Sequence, residues 1–88
     1  MMTKGRIVLG ATGEGKALHK LARRLRDDGH EVVLIGGNQS AEQLVRTALA
    51  EDASELVVSA DPESMALIDV VRRELGADHI VLAPAGDV

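Results

Sequence analysis

Short β-branched runs alternate along this chain with longer stretches whose apolar residues recur at helical spacing. Arg6-Ile7-Val8-Leu9, Glu31 to Ile35 (EVVLI), Glu55 to Ser59 (ELVVS) and His79 to Ala83 (HIVLA) read as strands. Residues from about Gly15 to Asp28 read as a first helix with Leu18, Leu21, Ala22 and Leu25 on one face, and Gly29 stands where a left-handed helix-ending residue belongs. Ser40-Ala41-Glu42-Gln43 is a capping box, and the helix it opens buries Leu44, Val45, Ala48 and Leu49. Asp61-Pro62 is an N-cap followed by proline at the first helical position. The third helix turns Met65, Ile68, Val71 and Leu75 inward and stops at Gly76.

A βαβαβαβ pattern predicts a parallel sheet, because only a helical crossover returns the chain to start a neighbouring strand in the same direction. The strands are nearly continuous apolar runs, as expected of strands covered on both faces. With right-handed crossovers and strand order 2-1-3-4, the first helix lies on one face and the second and third on the other. The predicted fold is thus a three-layer, flavodoxin-like (Rossmann-like) α/β domain of four strands and three helices. One helix alone covers one sheet face. That face and the edge of the fourth strand are expected to be under-covered, and a partner is expected to cover them.

At 88 residues the chain is one domain with a thin core, and 45% hydrophobic content makes it globular. No cysteine is present, so disulfides, thiolate metal sites and thiol nucleophiles are excluded. The start MMTKGRIVLG lacks the apolar core and cleavage site of a signal peptide, and no apolar run reaches the roughly 18 residues of a membrane span. A cytoplasmic protein without a membrane role is the expectation. A net charge of −4 and the absence of Phe, Tyr and Trp argue against nucleic acid, since neither a basic field nor a stacking platform is available.

The loop after the first strand carries the most suggestive spacing. Gly10-Ala11-Thr12-Gly13-Glu14-Gly15-Lys16 fits G-x-x-x-x-G-K. In a phosphate loop the next residue is Ser or Thr and holds Mg²⁺, whereas here it is Ala17. Glu14 would direct negative charge at the phosphates, and the third strand ends without a metal-ligating acid. Nucleotide hydrolysis is not expected. Anion binding at the helix N-terminus stays open as an alternative. The dinucleotide fingerprint fails, with Leu18 at the third glycine position and no acid in Gly36-Gly37-Asn38-Gln39 after the second strand. A glycine-rich turn needed for backbone geometry alone is a third reading.

Residues 29 to 82, with "LARRLRDDGHEV" before them, resemble the cobalamin-binding domain of methylmalonyl-CoA mutase and related mutases. The similarity is closest at Gln39-Ser40-Ala41-Glu42-Gln43-Leu44-Val45, continues through Ala48, Glu51 and Asp52, and returns at Gly76-Ala77-Asp78. The resemblance implies a flavodoxin-like fold and cobalamin as ligand. It departs from the family at the cobalt. The family has D-x-H-x-x-G after the first strand, its His ligating cobalt from below. Here Thr12 stands at the Asp position and Glu14 at the His position, and the loop is shorter. The family's S-x-L becomes Ser59-Ala60-Asp61, its paired glycines become Ala83-Pro84-Ala85-Gly86, and its last strand and helix are absent.

The resemblance therefore implies cobalamin held without a protein imidazole, at a strand edge built from Thr12, Gly13, Glu14, Gly15, Lys16, Ser59 and Ala83. His19 belongs to the Lys16, Lys20 and Arg23 side of the first helix, and His30 and His79 sit at strand starts, so all three read as surface or strand-edge residues. The basic positions Lys20, Arg23, Arg24 and Arg26 read as a solvated face or a docking surface. No Ser-His-Asp, paired-carboxylate or metal-spaced set is present. The expected function is a non-catalytic binding or accessory module, related to an isomerase. Its partner would be a second copy or a mutase-type subunit over the open sheet face. The alternatives are a phosphate or nucleotide binder through Gly10 to Lys16, and an interaction domain without a small-molecule ligand.

Overall fold

The computed structural model describes residues 5–87, and the opening Met1–Lys4 lies outside the described residues. Four strands, β1 (Arg6–Ala11), β2 (Glu31–Gly36), β3 (Glu55–Ser59) and β4 (Val81–Pro84), alternate with three helices, α1 (Leu18–Asp27), α2 (Ala41–Ala50) and α3 (Pro62–Glu74). A 3-10 turn, Ala85–Asp87, follows β4. The sheet is parallel throughout and ordered β2-β1-β3-β4, as the crossover rule predicts.

Strand alternation sorts β1 and β3 between two cores. Ile7, Leu9, Ala11 and Val57 face α1 and meet Leu18, Leu21, Ala22 and Leu25. Val8, Leu56 and Val58 face the other way and meet Leu44, Val45 and Ala48 of α2 and Ile68 of α3. The reading of strands covered on both faces holds fully for β1 and β3, while Val32, Leu34 and Ala83 pack against one core and Val33, Ile35 and Leu82 against the other with only partial burial. β2 and β4 are edge strands, and their residues are half-buried or exposed. The under-covered face is also smaller than a four-strand count implies. Val57 is fully buried beneath α1, and the opening is confined to β4, where Val81 is 60% exposed.

Three boundaries differ from the sequence reading, each for a local reason. β1 runs on to Ala11 because Gly10 and Ala11 still pair with Val58 and Ser59. α1 starts at Leu18 rather than Gly15 because Gly15 has φ +71, outside the right-handed helical region. β4 starts at Val81 rather than His79 because the Arg72 guanidinium donates to the carbonyls of Asp78 and Ile80, which holds the preceding residues in a turn. The expected caps are present. Ser40 and Gln43 form both bonds of the capping box, and the Asp61 carboxylate accepts from the Ser64 N–H.

All three helices end in the same backbone motif, the N–H groups of the two residues past the cap reaching carbonyls in the last turn. The pairs are Gly29 to Arg26 and His30 to Leu25, Asp52 to Leu49 and Ala53 to Ala48, and Gly76 to Arg73 and Ala77 to Arg72. Glycine takes the left-handed position in α1 and α3, but Asp52 takes it after α2, at φ 54. Asp52→Gly is therefore expected to stabilise the domain by about 0.5–1 kcal/mol, raising Tm by a few degrees in a thermal melt.

The Asp61 cap has a pH consequence. The bonds from Ser64 hold its carboxyl below the ordinary carboxylate value. The Arg72 guanidinium, with help from Arg73, does the same for Asp69. Depressed values mean stability that is present above the unfolded carboxylate pKa and lost as pH falls through the folded one. Asp61→Asn together with Asp69→Asn is expected to flatten the acid limb of stability against pH. An unchanged acid limb in denaturant titrations would contradict this.

Candidate functional site

In open parallel sheets, ligands bind outside the carboxyl ends of the strands, where neighbouring crossovers leave in opposite directions. Here that point lies between β1 and β3, because α1 leaves to one face and α3 to the other. The loops there are tied down by backbone. The Thr12 N–H donates to the Ser59 carbonyl at 3.2 Å, Asn38 N–H to the Gly13 carbonyl at 2.6 Å, and Gln39 N–H to the Ala11 carbonyl at 3.0 Å. The β1–α1 loop thus lies flat against the β2–α2 loop. Gly37 makes the contact possible, since a Cβ there would strike the carbonyls of Gly13 and Glu14.

The rim this creates is built from small residues on every strand. Gly36 ends β2 and Gly37 follows it, Gly13 and Gly15 follow β1, Ser59 ends β3 and Ala60 follows it, and Ala85 and Gly86 follow β4. A Cβ added at Gly13, Gly36 or Gly86 would meet nothing within 4 Å. Four strands at their usual spacing make this platform roughly 14 Å wide. Gly13 is notable because neither a positive φ nor a close contact requires glycine there.

Beside the platform, on the α1 face, is a cleft of about 430 Å³. Its α1 wall is Ala17, Lys20, Leu21 and Arg24, its floor includes Ser59, and Ala85 and Gly86 form the opposite wall. Ser59 is exposed, and its hydroxyl has no hydrogen-bond partner among the described residues. Of the residues singled out from sequence, Gly15 and Ser59 line this cleft. Thr12, Gly13 and Glu14 stand on the rim beside it, half-buried or exposed. Ala83 packs instead against the α1-side core.

Lys16 does not line the cleft. Its ammonium pairs with the Glu14 carboxylate at 3.2 Å, with both side chains largely in solvent. No imidazole lines the cleft. His19 and Arg26 are seven residues apart and so share nearly the same helix direction, and Arg26 donates to the Val32 carbonyl of β2. His19 therefore lies on the β2 flank of α1, away from Ala17 and Arg24. There it borders, with Lys20 and Arg23, a second hollow of about 320 Å³. His30 is half-buried at the start of β2, its Nδ1 shielded and without a partner, and His79 is exposed in the turn before β4. No group of three metal-ligating side chains is brought together among the described residues. Within them, no helix is long and apolar enough to cross a membrane.

Sequence reasoning treated the basic residues of α1 as one face. The structure divides them: Arg24 lines the cleft, Arg23 the outer hollow, Lys20 both, and Arg26 reaches β2. The recurrence of Ala17, Lys20, Leu21 and Arg24 at helical spacing was the available signal. Gly86 could not be found that way, because only the tertiary fold sets it opposite α1.

No protein-family model matches the chain, and no curated protein matches it. Among solved structures it is similar to a chain in the crystal structure of the methanol:cobalamin methyltransferase complex MtaBC from Methanosarcina barkeri. Identity is 23%, the TM-score is 0.67, and the match covers 99% of this chain and 36% of that one. The domain thus spans about a third of the length of that chain. The likeness extends over the whole of the present fold, which is flavodoxin-like.

Since Gly37 admits two carbonyls of the β1–α1 loop, Gly37→Ala is expected to push that loop off its neighbour. The anticipated cost is about 1–3 kcal/mol in chemical denaturation. Amide shifts should change at Gly13 and Gly15, while α3 is undisturbed. A variant with wild-type stability and spectrum would show that the two loops do not depend on this contact.

Proposed function

We propose that this domain is a cobalamin-binding-type module, without chemistry of its own, which holds the cofactor with no imidazole of this chain on cobalt. The observation that carries the reading is the run of small residues at the ends of all four strands, with Gly13 open among them. A low platform of Gly, Ala and Ser suits a broad, flat ligand, which bulkier side chains would lift away. The sequence resemblance and the structural likeness to a chain of a methanol:cobalamin methyltransferase complex support the same ligand class. When bound, cobalamin supplies the organocobalt chemistry. The chain binds and orients it, Gly13 allowing close backbone approach and the Ser59 hydroxyl offering a free polar contact. With Glu14 paired to Lys16 and no imidazole among the residues lining the cleft, this chain would hold the cofactor without lending it a histidine.

The reading includes a partner on the β4 side, a second copy or a mutase-type subunit, because Val81 is 60% exposed beside an unpaired strand edge. Sedimentation at high concentration tests the second copy, and a monomer there removes it.

Aquocobalamin and adenosylcobalamin, added in turn and followed by gel filtration, test the cofactor. The protein has no Trp or Tyr and contributes almost nothing to the spectrum. Co-elution of colour with a base-on spectrum is the expected result. Gly13→Leu should abolish co-elution without lowering Tm, since its Cβ opens into free space. Absence of co-elution with the unmodified domain would overturn the cofactor assignment. A spectrum of imidazole ligation, lost in His19→Ala, would overturn the claim that no imidazole of this chain reaches cobalt.

A further inference from the structure

On α2 and α3, basic residues stand three or four positions from an acid that neutralises them. Arg46 pairs with Glu42 at 2.7 Å, and Arg72 and Arg73 with Asp69 at 2.6 and 3.0 Å. Off the helices, Arg6 pairs with Glu31 at 2.9 Å. Lys20 on α1 has no such arrangement. Its neighbours three and four positions away are Lys16, Ala17, Arg23 and Arg24. It makes no ion pair and no hydrogen bond among the described residues. Like charges at four-residue spacing weaken a helix, so α1 gives up stabilisation that the other two helices take. It does so where a cleft opens, on a chain whose net charge is −4. Departures from local rules of this kind concentrate at functional sites.

We infer that the cleft between α1 and the terminal turn binds the phosphate group of a small molecule, with Lys20 as the principal contact. Lys20 supplies a cationic donor from the α1 wall, and the Ser59 hydroxyl supplies a neutral donor. A phosphoryl group offers oxygens to the ammonium and the hydroxyl at once and carries more charge than a carboxylate does. About 430 Å³ lies within the usual range for a small-ligand cleft, large enough for a phosphate and part of what it is attached to. Leu21 and Ala17 give the attached part an apolar surface. The site is separate from Lys16, whose charge is taken by Glu14. It shares Ser59 with the cobalamin reading, but its probes carry no corrin, so the two proposals fail separately.

Inorganic phosphate and pyrophosphate, titrated into the ¹⁵N-labelled domain at constant ionic strength against chloride, provide the test. Saturable amide shifts are expected at Gly15, Ala17, Ser59 and Gly86, larger in affinity for pyrophosphate. Lys20→Ala should weaken binding about tenfold, the loss of one charged contact. Lys20 is exposed, so the fold should survive, and a melt of the variant verifies this. Ser59→Ala should weaken binding by less than Lys20→Ala, and Lys16→Ala should leave it unchanged. Shifts that fail to saturate, or that chloride reproduces, would overturn the proposal. Binding lost in Lys16→Ala but retained in Lys20→Ala would do the same and assign phosphate to the glycine loop instead.

Discussion

Burial of β1 on both faces and along both edges is the constraint on which the rest of the structure depends. Its neighbours β2 and β3 take its backbone groups on either side. Ile7, Leu9 and Ala11 are committed to one core and Val8 to the other. A strand so enclosed in a parallel sheet needs a helical layer on each face. With right-handed crossovers the chain supplies α1 to one face and α2 with α3 to the other. The loop leaving β1 is then fixed at the point where the crossovers diverge. The candidate site thus follows from the core rather than being added to it.

The rim shows how packing and openness share the same small residues. Gly37 is required by contact, because two carbonyls of the facing loop occupy the space of its missing side chain. Gly13, a few residues along the same contact, is required by nothing within the domain. One glycine is explained by the fold and the other leaves open backbone on the rim. Glycines counted in sequence do not reveal that distinction. The Gly10-to-Lys16 spacing suggested phosphate, but the Glu14–Lys16 pair turns its lysine into solvent. The cationic groups that face a cavity are one and two helical turns further on, at Lys20 and Arg24.

Much of the architecture was legible because its signals are local. The period of apolar residues, the Ser40–Gln43 box and the Asp61-Pro62 start all act within a few residues, and each appears where the pattern puts it. Legibility failed where a distant group intervened. The start of β4 moved to Val81 because Arg72 captures two carbonyls from another element. The open sheet face shrank to the edge at β4 because α1 reaches across to cover Val57, which a count of strands and helices does not foresee. Asp52 was visible as an acid at a helix end, yet its left-handed backbone was not, since glycine normally marks that position.

The sequence by itself determined the element order, the strand order, the division of the helices between faces and the edge where a ligand would bind. Apolar periodicity and crossover handedness leave little choice in these matters. Only the tertiary structure decided which residues at that edge share a space. Ser59, Lys20 and Gly86 come from three elements with no periodic relation to one another. Their meeting depends on how closely α1 and the turn after β4 pack over the sheet, a distance that side-chain volumes set and that no local pattern records.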